Sequence, residues 1–415
     1  MTKILVLNSG SSSQKSSLYE IGADAPADPP APLWEGAIEW TDGVEKASIH
    51  VRTSRGAEIR NPINALSRKR AVAQLLDTLW SGGAQVVSGP EEIAAVGHRV
   101  VHGGSKYQEP AIITPEVKSA IAEFGVFAPL HNRAELAGMD LIEERLGPVP
   151  QIAVFDTAFH SQMPEAAYVY PGPYEWLAQG IRRYGFHGIN HQYCAERAAH
   201  LLRRNLASLR LVTCHLGNGC SLAAIRDGRS IDTTMGFTPL EGLMMGTRSG
   251  SVDPGILTYL ASSRGVSGGR LDEVLNKESG LLGISGVSGD MRQIEQARNQ
   301  GHARAKLAFD IFIHRLQSGI GAMIAVLGGI NALVFTAGIG ENSAEVRAAA
   351  CANFGYIGLK IDPARNAGVI PDSDVSAADS RTPILVIRAQ EDWAIARQSA
   401  ALLARLFPQK NAKRS

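Results

Sequence analysis

The sequence predicts an α/β protein of more than one domain. Apolar, strand-like runs alternate with helix-like segments along the chain, the pattern of α/β folds. Two of those runs, residues 4–7 and 211–215, open into the same kind of Gly/Asn/Ser turn. The length of 415 residues also exceeds what one core holds, since cores rarely grow beyond about 250–300 residues.

The elements follow in order. Residues 4–7 form a short apolar strand that ends in the turn-rich Asn8-Ser9-Gly10-Ser11-Ser12-Ser13, and a second strand follows around 17–21. Residues 23–32 hold Pro26, Pro29, Pro30 and Pro32 and read as a surface loop. Thr114-Pro115-Glu116 places a capping hydroxyl before a proline at the first helical position, opening a helix toward Phe124. Residues 152–155 are a buried-type strand ending at Asp156, and Asn190 is placed to cap a helix through Leu201-Leu202. Strands follow at 211–215 and 332–336. The longest apolar stretch, 319–335, is broken by Gly328, Gly329 and Asn331. It is shorter than the ~20 residues of a membrane span and reads as a buried helix, a turn and a strand. An amphipathic helix at 399–407 and a frayed basic tail close the chain. The two strand–turn–strand units lie about two hundred residues apart. They suggest a duplicated domain with one phosphate-facing hairpin in each half, although many α/β proteins contain such hairpins.

Hydrophobic residues make up 45% and charged residues 20%, with a formal net charge of +1. No global field draws such a chain to nucleic acid or membrane. Cys194, Cys214, Cys220 and Cys351 form no CxxC pair and no zinc spacing. They fit a reducing cytoplasm, and the opening residues read as a strand rather than a signal peptide. A cytoplasmic, soluble protein is expected.

The chemistry lies in the turns. Small residues let backbone N–H groups approach a polyphosphate, and Asn8, the serines and Lys15 add polar groups. A plain β-turn is the simpler reading of that segment alone. A P-loop is excluded, because a second glycine is missing and a strand follows. No GxGxxG, GxSxG or HExxH motif occurs. Gly97-His98-Arg99-Val100-Val101-His102-Gly103-Gly104 sets Arg, His and paired Gly at the end of an apolar run. Asp156 stands at a strand's C-terminal end, where open α/β sheets bind ligands. His187, in Tyr184-Gly185-Phe186-His187-Gly188, precedes a helix whose dipole favours anions. Residues 234–250 form a long Gly- and Met-rich loop around Arg248.

Taken in order, residues 98–104, 154–160, 184–188, 214–221, 235–250, 276–292 and 335–343 resemble the successive signature segments of the acetate kinases. The resemblance implies an actin/hexokinase/Hsp70-like fold: two duplicated RNase H-like α/β domains with a nucleotide cleft between them. It divides the chain into an N-terminal lobe, 1–153 plus 388–415, and a C-terminal lobe, 154–387, with a homodimer interface in the latter. It implies reversible phosphorylation of acetate by ATP through direct in-line transfer to a carboxylate.

Both reactants are then anions, and acetate at neutral pH is already ionised, so positive charge is needed more than a base. Arg99 is the candidate for the carboxylate and Arg248 for the transferring phosphoryl oxygens; a structural salt bridge is the alternative for either. His187 would donate to the equatorial oxygens. His191, four residues on, makes a metal pair conceivable but has no acidic or Cys partner nearby. His131 either lines the site or is a core histidine. Asp156 matches the family's essential aspartate and would orient Arg99, hold a metal-bound water or exchange a proton. Glu391 matches the metal carboxylate, with Asn8 as the second metal residue and Asp392 as the rival. The implied metal is Mg²⁺, with Mn²⁺ as an alternative, and ATP/ADP is the co-substrate. Lys15, His215, Leu216, Gly217, Asn218 and Gly219 would cradle phosphates. Gly338, Ile339, Gly340, Glu341 and Asn342 would back the adenosine, and Asp290, Met291 and Arg292 would close the adenine pocket. Val101, Leu130, Phe186 and Pro239 would surround the methyl of acetate. The chain departs from the family at Arg133, at Ile189-Asn190 and at Arg388-Ala389-Gln390. The alternatives are a propionate or butyrate kinase, a catalytically silent nucleotide-binding homologue, and an acyl phosphatase.

Overall fold

The structure, a computed structural model, describes residues 1–9, 13–22, 25–40, 46–64, 67–125 and 129–408; for 13, 46, 64 and 129–131 it describes the backbone alone. The turn residues 10–12 and the tail 409–415 therefore lie outside the described residues. The chain divides into two compact units, Met1–Ala158 with Gln390–Ser415, and Phe159–Ala389.

In the first unit the strands are β1 (Thr2–Ser9), β2 (Ser13–Ile21), β3 (Trp34–Trp40), β4 (Lys46–Thr53), β5 (Glu58–Asn64), β6 (Ala95–Val100), β7 (Ala111–Ile112) and β8 (Gln151–Phe155). Their order across one sheet is β5-β4-β3-β2-β1-β6-β8-β7. β1 runs antiparallel to β2, with Asn8 opposite Lys15, and parallel to β6. β6 in turn runs parallel to β8. Ile4, Leu5, Val6 and Leu7 are all buried, as expected of a central strand covered on both faces. The last helix, Glu391–Leu406, packs on β1, β2 and β6 and buries Trp393 against Tyr19. Its close approach explains Gly97, where a Cβ would stand 2.5 Å from Ser399 Oγ and 2.8 Å from Ile395 Cγ2.

The second unit repeats the plan. β9 (Arg210–Leu216), β10 (Cys220–Arg226), β11 (Arg229–Thr233), β12 (Ala332–Thr336), β13 (Ser373–Asp374) and β14 (Ile384–Val386) stand in the order β11-β10-β9-β12-β14-β13. β9 is antiparallel to β10 and parallel to β12, and β12 is parallel to β14. The succession β3-β2-β1-β6-β8 of the first sheet thus recurs, strand for strand and with the same directions, as β11-β10-β9-β12-β14.

Three elements differ from the sequence reading. The apolar stretch belongs to a helix that starts earlier, Ala303–Leu327, and its 25 residues are long and apolar enough to cross a membrane by length and composition. It is laid instead along β10, with Phe309, Phe312, Leu316, Ile320, Met323 and Leu327 buried at helical spacing. Gly328 ends it in the left-handed conformation at φ 65°. The helix expected from Asn190 begins at Gly188 with His187 as its N-cap. The final helix starts at Glu391, eight residues before 399. The helix Pro115–Phe124 does begin as expected, with the Thr114 side chain accepting the Val117 N–H. The first unit extends through β8 to Ala158, because Phe155 pairs with Val100 and the Asp156 N–H donates to Val100 O. Asp156 consequently belongs with Arg99.

Candidate active site

The polar cluster of the first unit is assembled at the C-terminal ends of three adjacent strands. Asn8 and Arg99 are the last residues but one of β1 and β6, and Asp156 follows β8. Parallel pairing in this register brings side chains distant in sequence next to one another. Arg99 donates from Nε and Nη2 to Asp156 Oδ2, at 3.0 and 2.5 Å, and from Nη1 to Asn8 Oδ1 at 3.4 Å. Asn8 Nδ2 donates to Glu391 Oε2 at 3.2 Å and to Asp392 Oδ1 at 2.9 Å. Ser17 Oγ donates to Asp392 Oδ2 at 2.7 Å, so both oxygens of that carboxylate are engaged. Burial works against the Arg99 charge, but Asp156, Glu391 and Glu135 outweigh it and raise its pKa. Burial pushes the Asp392 carboxyl up, against the pull of Asn8, Ser17 and Lys15. Lys15 itself is exposed on β2.

One member of this cluster has no signal in the sequence. Glu135, on the helix Pro129–Leu146, is 2% exposed. Its Oε1 accepts the Val101 N–H at 3.1 Å, while Oε2 has no hydrogen-bond partner among the described residues. Burial pushes its carboxyl up to about 8, opposed by the Val101 N–H and Arg99 and aided by Asp156. Val101 is buried. The side chains of Leu130 and His131 lie outside the described residues.

In the second unit, β9 ends in His215 and Leu216, and Gly217-Asn218-Gly219 turns the chain into β10. His187 caps its helix at φ 56°, ψ 22°, a left-handed conformation that costs a non-glycine residue about 1–3 kcal/mol and is concentrated at functional sites. Its ring stacks on His215 with centroids 3.9 Å apart and planes within 9°. A Cβ on Gly219 would lie 3.4 Å from His187 Nε2 and 3.6 Å from Arg248 Nη1. The bare glycine thus stands where a ring nitrogen and a guanidinium converge. Arg248 Nη1 also donates to Pro239 O at 3.0 Å, joining two predicted residues. The loop around Arg248 is locked to the hairpin: Gly246 N–H donates to Asn218 O, and a Cβ there would come within 2.2 Å of Asn218 Oδ1. Phe186 is buried, and its carbonyl accepts from His160 Nε2 at 3.0 Å.

A pocket of about 630 Å³ opens beside this hairpin, within the usual range for small-molecule sites. Gly217, Asn218, Asp290, Met291, Arg292, Gly338, Ile339 and Asn342 line it, together with Gly289, Glu295 and Ser343. Gly340 and Glu341 are absent from that lining. Their carbonyls accept from Arg347 Nη1, and Glu341 Oε1 accepts the Ala389 N–H, so they brace the short helix Ala337–Asn342. Asp290 caps the helix Met291–Asn299 and pairs with Arg292, whose side chain is largely exposed. Among the described residues no three His, Cys, Asp or Glu side chains form a metal cage. His191 is no exception, since Thr213 and Ser221 take its two ring nitrogens.

The sequence model of the Acetokinase family matches residues 3–397. The chain belongs to that family. It is 60% identical over 401 residues to the acetate kinase of Cyanothece sp., covering 97% of this chain and 98% of that one. It is 59% identical to the acetate kinase of Gloeobacter violaceus, covering 95% and 98%. Among solved structures, Porphyromonas gingivalis acetate kinase superposes with a TM-score of 0.87 at 39% identity, covering 97% and 100%. A propionate kinase from Francisella tularensis superposes equally well, with a TM-score of 0.87 at 37% identity, covering 96% and 99%.

Two departures from the acetokinase pattern are placed by the fold. Arg133 is exposed. Ile189 is core at 2% exposure, and its neighbour Asn190 donates from Nδ2 to His215 Nδ1 at 2.8 Å.

Proposed function

We propose that the chain transfers the terminal phosphoryl group of ATP to the carboxylate of acetate, giving acetyl phosphate and ADP, and catalyses the reverse reaction. The observation that carries this reading is the convergence of His187 Nε2 and Arg248 Nη1 on Gly219, beside a pocket of nucleotide size. A ring N–H and a guanidinium at one point suit the charge that develops on a phosphoryl group in flight.

The groups assigned to the acetate carboxylate are in the first unit. Asp156 holds two nitrogens of Arg99 on one oxygen and leaves Nη1, on a long bond to Asn8, as the edge offered to a carboxylate. Of the roles open to Asp156, orienting Arg99 is the one this geometry favours. Acetate is ionised at neutral pH and attacks without a base. Val101, Leu130, Phe186 and Pro239 are assigned to its methyl group. The nucleotide-side groups are assigned to the second unit: Gly217–Gly219 to the phosphates, and Asp290–Arg292 with Gly338, Ile339 and Asn342 to the nucleoside.

Mg²⁺ fits the donor set, for it takes one or two carboxylates and completes its shell with phosphate oxygens and waters. Glu391 is assigned as that carboxylate because it matches the family's metal glutamate, while Asp392 accepts from Asn8 and Ser17 on its two oxygens. Bound there, the ion would offset charge on the polyphosphate. Asn8 ties this carboxylate pair to Arg99.

A homodimer is supported by the helix Pro254–Arg264, which buries none of its residues and exposes Ile256 and Tyr259. A reducing cytoplasm is supported by the four cysteines, all buried thiols.

Hydroxamate trapping of acetyl phosphate from ATP and acetate tests the activity; absence of product would leave a silent nucleotide-binding protein. The similarity to a propionate kinase keeps a second acyl substrate in view. An apolar pocket discriminates one methylene by about 1–3 kcal/mol, so propionate should react about 10- to 200-fold less efficiently. A reversed order would assign the chain to propionate.

A further inference from the structure

Two histidines of the second unit, His187 and His191, are joined through one hydroxyl, and a second hydroxyl ends the chain beyond His191. Ser221 Oγ stands 2.8 Å from His187 Nδ1 and 2.8 Å from His191 Nε2. His191 Nδ1 stands 2.7 Å from Thr213 Oγ1. Thr213, His191 and Ser221 are all fully buried. We propose that this chain, Thr213–His191–Ser221–His187, locks the His187 proton on Nε2, making Ser221 and His191 positioning residues for the transfer. The inference rests on the role given to His187 above and adds what sets its proton.

The direction of the chain follows from counting donors. A hydroxyl carries one hydrogen, and a neutral imidazole carries one ring proton. Burial, with His160 and His215 nearby, drives the His191 pKa well below the ordinary value, so its ring is neutral. Three arrangements make every contact. In one of them Ser221 accepts from both rings and its own buried hydroxyl hydrogen has no acceptor among the described residues, a cost of about 1–3 kcal/mol, which leaves two to compare. In the first, Thr213 donates to His191 Nδ1, His191 Nε2–H donates to Ser221, and Ser221 donates to His187 Nδ1. Each buried donor has an acceptor, and the His187 proton is on Nε2. In the second the chain runs backwards: His187 Nδ1–H donates to Ser221, Ser221 donates to His191, and His191 donates to Thr213. The Thr213 hydroxyl hydrogen then has no acceptor among the described residues, which costs about 1–3 kcal/mol. His187 Nε2 would also present a lone pair to the phosphoryl oxygens. The first arrangement wins on both counts. His215 agrees with it, because Asn190 Nδ2 donates to His215 Nδ1 and leaves that ring proton on Nε2, toward Gly217.

The test is two-bond ¹H–¹⁵N correlation spectroscopy on the full-length, histidine-labelled protein, with His187 assigned by loss of its signals in His187→Asn. The expected wild-type result is a neutral His187 with Nε2 protonated and Nδ1 bare. Ser221→Ala should populate the Nδ1–H form and lower kcat roughly tenfold or more with little change in either KM; Ser221→Thr, which keeps the hydroxyl, should restore both. A wild-type His187 protonated on Nδ1, or an unchanged tautomer in Ser221→Ala, overturns the proposal. A tautomer shift without any loss of turnover supports the chain but removes His187 from the transfer step. The wild-type spectrum decides the tautomer even if the variants fail to fold.

Discussion

Arg99 and Asp156, 57 residues apart, meet through two nitrogens on one carboxylate oxygen. The arginine side chain is 14% exposed and the aspartate 1%, so the pair is held at the edge of the interior. Removing one partner of such a pair leaves an uncompensated charge. Asp156→Ala is expected to lower stability by about 3–5 kcal/mol in urea unfolding. Asp156→Asn is expected to raise the KM for acetate about tenfold or more while the KM for ATP stays near the wild-type value. Equal effects on both substrates would contradict the role assigned to Asp156.

Arg248 Nη1 stands 3.6 Å from the place a Cβ on Gly219 would take. Arg248→Ala should cost about 10²–10³ in kcat with a modest change in ATP affinity. Hydroxamate formation and ATP titration of the variant measure the two quantities separately, and unchanged turnover would refute the assignment.

Glu135 gives stability a pH dependence of known sign. Its folded pKa is raised from 4.5 to about 8 by burial, against the Val101 N–H and Arg99 and with Asp156 adding to the rise. Between those values the folded chain holds a proton that the unfolded chain has released. The contribution is thus complete below pH 4.5 and is lost progressively as pH climbs toward 8. Glu135→Gln keeps the neutral shape without titrating. Thermal unfolding should show its Tm gaining on wild type across that window and levelling off above it. A constant difference would mean that Glu135 is ionised throughout.

Glu391 and Asp392 open the last helix, and only Glu391 is proposed to hold the metal. Glu391→Gln is expected to raise the Mg²⁺ concentration for half-maximal rate about tenfold or more. Chelation by EDTA should abolish turnover, and added Mg²⁺ should restore it. Activity that survives chelation would sink the metal assignment.

Arg99, Asp156, His187 and Arg248 could be singled out as candidates because each stands where a local pattern changes, at the end of an apolar run, before a helix, or inside a Gly-rich loop, and the family resemblance supplied the roles proposed for them. Glu135 could not be, since a glutamate on a polar helix looks solvated until the helix is docked. Thr213 and Ser221 were hidden for a related reason. They read as ordinary residues of β9 and β10, and only antiparallel pairing of those strands sets both hydroxyls on one histidine. Asn190 was read as a cap because its side chain suits that role, yet tertiary contact with His215 claims it.

By itself the sequence determined the α/β class, the two strand–turn–strand units and the family, and it offered candidates for the charged residues of the site. Those features are written in neighbours along the chain, where periodicity, small residues and capping groups act over a few positions. The tertiary structure alone decided which side chains share a hydrogen bond, which carboxyl burial pushes up and which hydroxyls reach His187 and His191. These depend on desolvation and on contacts between residues far apart in the chain, which exist only once the sheets have paired and the helices have covered them.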